Sequence, residues 1–209
     1  MILLPLTIYL LWLGFEVGRK KQPMLMSGKT YFRWKGPQAP AEGSLPVVLA
    51  AAGYETWHIG KRGNVPVVIN KSFHHSRYLD DNKERTSGQP GKTATDEAIS
   101  FLRSRKGDKP FFMVLAFEAP HDPRVAAKEY LDIYDRDKLP LPANFLPEHP
   151  FDNGELSVRD EKLEKRPLTP ASIRRHLHEY YAVMTGLDRH IGRLLDELKA
   201  RKIDGETVV

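Results

Sequence analysis

Phe111-Phe112-Met113-Val114-Leu115-Ala116-Phe117, led in by Pro110 and followed by Glu118-Ala119-Pro120-His121-Asp122-Pro123, is the stretch that decides the fold. An apolar run of that length with no polar alternation needs cover on both faces. That is the pattern of a strand in a parallel sheet lying between helical layers, so the chain reads as α/β. Open α/β sheets bind ligands beyond the carboxyl ends of their strands, which puts the loop after Phe117 in the right place for chemistry. His121 is the candidate there. A solvent-exposed loop histidine would read the same way.

Working back from this strand, Thr95 to Arg105 reads as an amphipathic helix with Ala98, Ile99, Phe101 and Leu102 on its apolar side and Gly107 as its stop. Ser44 to Ala52 reads as a short helix with Ser44 as N-cap and Gly53 as terminator. Tyr54 to Ile59 then reads as a strand ending at Gly60-Lys61, so Lys61 stands at a strand end as His121 does. A lysine there can neutralise an anionic substrate or simply face water. The intervening Arg62 to Lys92 is mostly polar, broken by the apolar run Val65 to Ile69.

Working forward, Thr169 can cap a helix with Pro170 at its first position. Ile173, Leu177, Tyr180, Met184, Leu187, Ile191, Leu194 and Leu198 recur at steps of three and four and lay one apolar stripe along it. The closing Glu206-Thr207-Val208-Val209 reads as the opening of a buried strand with little to pair with. The chain is therefore expected to stop mid-domain, leaving an apolar sheet edge and poor solubility unless a partner covers it.

The 209 residues carry a net charge of +5, but acids are interspersed with the bases. The densest basic runs are Arg19-Lys20-Lys21 and Arg174-Arg175, with no aromatics between them, so nucleic-acid binding is not expected. The absence of cysteine excludes disulfides, cysteine-ligated zinc, iron–sulfur clusters and a cysteine nucleophile. Met1 to Phe15 has no basic or acidic side chain before position 16 and is largely apolar. At about 1.5 Å per residue it reaches only ~22 Å as a helix, short of a ~30 Å hydrocarbon core. A secretory signal, an uncleaved anchor and a buried strand all remain open for it; a signal would make the protein periplasmic or secreted, and membrane association is not expected otherwise.

The remaining polar clusters carry less. His74-His75 and the pair His176 and His178 lack the spacing that puts two metal ligands on one helical face. Asp80-Asp81 and Asp160-Glu161 sit among bases and read as solvated charge. Met26-Ser27-Gly28-Lys29-Thr30 ends like a phosphate loop, but Pro23 stands where its first glycine should be.

Four segments, in order and spacing, resemble the sulfatase family within the alkaline-phosphatase-like superfamily. Leu25-Met26-Ser27-Gly28-Lys29 is similar to the stretch that follows the sulfatase nucleophile. Ala52-Gly53-Tyr54-Glu55-Thr56 with Gly60-Lys61 is similar to the second family signature, and Ala119-Pro120-His121-Asp122-Pro123 to its Ala-Pro-His-x-Pro loop. Tyr181-Ala182 through Leu187-Asp188 to Ile191-Gly192-Arg193-Leu194-Leu195 resembles the helix that precedes its metal-binding strand. The resemblance covers residues 23–209 as a partial sulfatase-like domain. It leaves 1–22, the apolar leader and its basic run, unmatched.

The resemblance implies a mostly parallel sheet with helices on both faces, truncated here, and hydrolysis of sulfate esters by a formylglycine beside a divalent cation, usually calcium. Sulfated small molecules or carbohydrates would be the substrates. It also implies catalytic roles for Lys61, contacting the sulfate, and His121, binding it or assisting the leaving group. The departures are large. Gly18 falls in the nucleophile slot, with Gly18-Arg19-Lys20-Lys21-Gln22 in place of C-x-P-S-R, and Gly63 replaces a frequent histidine. No metal ligand has a counterpart in Met1 to Phe15, and the remaining ligands are expected beyond Val209. Three readings follow: a sulfatase-type sulfuric ester hydrolase represented by an incomplete chain and inactive alone, a non-catalytic remnant of that fold, or a basic polyanion-binding module.

Overall fold

A computed structural model describes residues 6–11, 26–28, 42–62, 67–152, 154 and 163–209. Its centre is the strand the sequence singles out. β4 (Phe111–Ala116) is buried along its whole length, no residue being more than 1% exposed. It pairs in parallel with β2 (Glu55–Gly60) on one side and β1 (Leu6–Leu11) on the other. β3 (His75–Tyr78) and β5 (Thr207–Val208) flank these, giving a five-stranded, all-parallel sheet in the order β3-β2-β4-β1-β5.

Alternate β4 side chains enter two cores, which is why the strand needs no polar residue. Phe111, Met113 and Leu115 pack with Ile59 against α4 (Lys92–Ser104) and α6 (Pro170–Ala200), using Ala98, Leu102, Leu187, Leu194 and Leu198. Phe112 and Val114 pack on the other side with Tyr54, Ile69 and Phe73, covered by Leu45 and Leu49 of α1 (Leu45–Ala51) and Val68 of α2 (Val67–Asn70). The layering expected for the α/β class is thus present, with helices on both faces of the sheet.

The element ends differ from the sequence reading in instructive ways. Ser44 precedes α1 as expected, but its hydroxyl makes no capping bond, because Pro46 removes one of the N–H groups it would bind. α4 begins three residues before Thr95, at a turn where Gly91 has φ +80°. The polar stretch 62–92 contains α2, β3 and α3 (Asp81–Thr86), which apolar periodicity does not reveal because β3 is an exposed edge strand and α3 buries no residue. Asp80, read as solvated charge, is exposed and also caps α3, accepting from the N–H groups of Asn82 and Lys83 at 3.0 Å each. For residues 6–11 of the apolar leader the structure gives a strand. β5 does find a partner in β1, yet Val208 is 54% exposed, so this edge strand is not buried.

α6 begins as its sequence requires. Thr169 and Ser172 form a reciprocal capping box around Pro170, and Leu187, Leu194 and Leu198 of the apolar stripe are buried. Its first turns are half-buried and lean on α5 (Lys128–Leu131) and the segment that follows it, where Arg174 donates to the Leu139 carbonyl and His178 to those of Leu131 and Tyr134. Gly186 lets α6 approach Pro90 and Tyr130 closely, since a Cβ there would lie 2.8 Å from the proline ring. Among the described residues, no helix is long and apolar enough to cross a membrane.

Gly60, the last residue of β2, has φ +111°, and a Cβ on it would stand 2.1 Å from the Ala116 carbonyl oxygen. Gly60→Ala is expected to cost roughly 2–5 kcal/mol in urea unfolding, through backbone strain and overpacking together. Gly192, on α6 with open space around it, is the control: its change to alanine is expected to stabilise by about 0.5–1 kcal/mol.

His58 is fully buried on β2 beside Phe73 and Tyr78, with no hydrogen-bond partner for either ring nitrogen among the described residues. Burial lowers its pKa from 6.5 to about 4. The unfolded chain therefore binds this proton at higher pH than the folded one, so this contribution is complete above pH 6.5 and is lost as pH falls towards 4, by about 3 kcal/mol in all. Stability measured between pH 7 and 4.5 is expected to fall with that slope. In His58→Leu the slope flattens, and an unchanged slope would show that another group governs it.

Candidate anion site

The register of the sheet brings the two sequence candidates to one edge. Gly60 pairs with Ala116, and the Lys61 N–H donates to the Ala116 carbonyl at 2.7 Å, extending the ladder by one bond. Both strands therefore release their chains at the same level. β2 runs directly into Lys61, and β4 runs through Phe117 into Glu118 and the proline loop.

Glu118 joins the two. Its side chain is only 3% exposed, and its Oε2 accepts from Lys61 Nζ at 3.1 Å. Its backbone carbonyl accepts from the His121 N–H at 2.9 Å. A carboxylate buried to this extent requires compensation, and it receives a second cation. Arg85 of α3 donates from Nε to the same Oε2 at 2.7 Å. Glu118 Oε1 is buried without a partner among the described residues. Neither Arg85 nor Glu118 was among the sequence candidates. Arg85 falls in a stretch with no apolar signal, and Glu118 is simply the first polar residue after the strand.

His121 is held by its own loop, in which the Ala119–Pro120 and Asp122–Pro123 peptide bonds are cis. Nδ1 lies 2.7 Å from the Asp122 carbonyl oxygen and 3.3 Å from its carboxylate. A carbonyl only accepts, so Nδ1 carries the hydrogen and Nε2 is the ring nitrogen left for a ligand. His121 and Arg85 line one small cavity of about 10 Å³, shared with Glu84, Ala119, Pro123 and Val183. That is about the room of a single water.

Two carboxyls beside this cavity have raised proton affinity. Burial, then the negative charge of Glu118, pushes Asp81 above the ordinary carboxylate range, with Arg85 lying 3.8 Å away on the next turn. Burial likewise raises Glu84. The other cation near Lys61 is turned aside, since Arg62 lies over the Tyr78 ring at 5.4 Å.

The donor set does not suit a hard cation. Glu118 is committed to Lys61 and Arg85, and no three acidic or histidine side chains gather around one point among the described residues. Among the described residues, the calcium implied by the resemblance therefore finds no cage. His74 and His75 are engaged elsewhere, with Thr56 and with Glu55 and the Trp57 ring. His176 lies between Arg124 and Glu164. Gly18, Lys20 and the pair Asp160-Glu161 lie outside the described residues.

Comparison with known proteins agrees with this architecture. An arylsulfatase of Clostridium perfringens is 33% identical over 111 residues, covering 51% of this chain and 22% of that protein. A protein solved in complex with its substrate D-glucosamine-2-N,6-O-disulfate superposes with a TM-score of 0.62 at 20% identity, over 91% of this chain and 54% of that one. The phosphonate monoester hydrolase of Agrobacterium radiobacter does so with a TM-score of 0.63 at 14% identity, over 91% and 51%. The chain thus spans about half the length of these solved structures and under a quarter of the arylsulfatase. The sequence profile described as Sulfatase matches residues 15–209, nearly the whole chain, and the chain belongs to the sulfatase family.

Proposed function

We propose that this chain carries the anion-holding half of a sulfatase-type hydrolytic site, with residues 23–209 as its sulfatase-like unit and a sulfated carbohydrate as the class of ligand. The observation behind this reading is the placement of Lys61 and His121 on one sheet edge, tied together through Glu118. Family membership and the sulfated sugar bound by a structural neighbour point the same way.

The chemistry follows from the charges. A sulfate monoester carries its negative charge on oxygens that need concentrated positive charge beside them, and its departing alcohol oxygen needs a proton. Lys61 supplies an ammonium 17% exposed, anchored at one hydrogen and able to donate others. His121, with Nδ1–H fixed on the Asp122 carbonyl, offers Nε2 for an ester oxygen and, when protonated, a proton for the leaving group. Bond breaking needs a nucleophile as well. The slot aligned with the family's formylglycine holds Gly18, and the chain has no cysteine. On this reading the chain binds sulfate esters and does not cleave them by itself.

Titration of 4-nitrophenyl sulfate into the full chain tests this, followed by calorimetry and, with calcium added, by nitrophenol release. Saturable binding is expected, weakened about tenfold or more in Lys61→Met and His121→Ala, with no nitrophenol formed. Release of nitrophenol that disappears in His121→Ala would overturn the non-catalytic part of the reading. Absence of any binding would overturn the whole.

A further inference from the structure

Arg85 sits where the two halves of the site meet. Through Nε it shares Glu118 Oε2 with Lys61, and with His121 it lines the same small cavity. The side chain is 19% exposed, so it is neither sealed in the core nor free in solvent. Its contact with Asp81 is 3.8 Å, too long for a hydrogen bond, which leaves the terminal guanidinium N–H groups without one among the described residues. Guanidinium presents those hydrogens as a planar fork that matches two oxygens of a sulfate.

The convergence itself indicates what would be recognised. Two cationic donors from different elements, the end of β2 and helix α3, reach a single oxygen at 3.1 and 2.7 Å. Glu118 orients both donors, and the cavity that Arg85 lines together with His121 has room for about one oxygen-sized group. We infer that Arg85 is a second cationic contact for the anionic head of the ligand, acting with Lys61 across Glu118 and opposite His121. This inference rests on the reading proposed above and adds to it a residue on an element outside the recognised motifs.

The experiment measures calorimetric affinity of the full chain for 4-nitrophenyl sulfate in the parent, Lys61→Met, Arg85→Gln and Arg85→Lys, with thermal unfolding of each recorded. Arg85→Gln is expected to weaken binding about ten- to a hundredfold, the loss of one charge-assisted contact, and Arg85→Lys, which keeps the charge but loses the planar fork, to recover only part of it. If Arg85→Gln binds like the parent while Lys61→Met is weakened, this inference falls and the reading of Lys61 stands. If Arg85→Lys binds as tightly as the parent, a cation beside Glu118 is all that the position supplies, Arg85 is only a structural partner of Glu118 and the inference falls. If the parent itself does not bind the probe, the inference and the reading beneath it fall together.

Discussion

The structure depends on the parallel pairing of β4 with both neighbours along its full buried length. Phe111 to Ala116 face two cores at once, so the strand cannot slide by one residue without exchanging the contents of both. That fixed register sets Gly60 and Leu11 opposite Ala116. β2 and β4 therefore release their chains at one level, and these carry Lys61 and Glu118. Gly60 sharpens this, because only a residue without a side chain can pass so close to the Ala116 carbonyl. The site is a consequence of packing several residues away from it.

Charge is organised from the inside outward. Glu118 comes directly after an all-apolar strand and is almost as buried as the strand itself, so its ionised form is tolerable only beside cations. Lys61 and Arg85 meet that need and are oriented in doing so. Asp81 and Glu84, both with raised proton affinity, lie close enough to Glu118 to feel its charge. On the proposed reading, an anion arriving here would enter a field already tuned by fixed groups, rather than one made by scattered surface lysines.

What the sequence made legible follows the strength of its physical signals. The doubly buried strand and the capped, striped α6 are long and periodic, so packing and pattern agree. Lys61 and His121 were legible from their places at strand ends. α3 and β3 were not, because a short helix with no buried residue and an exposed edge strand leave no apolar period to read. Arg85 was hidden for the same reason: its importance comes from a carboxylate 33 positions later, a distance that no local pattern spans. Asp80 is exposed, as its reading as solvated charge requires, but its capping role is not legible until the backbone N–H groups are placed.

Because Lys61 and Arg85 meet on one lone-pair-bearing atom, they are partners in a single equilibrium rather than independent surface charges. Losing either cation leaves the other to neutralise a buried carboxylate alone, so the two positions are epistatic, each setting which exchanges the other tolerates. The loop after β2 and helix α3, far apart along the chain, are in this way tied to a common evolutionary fate.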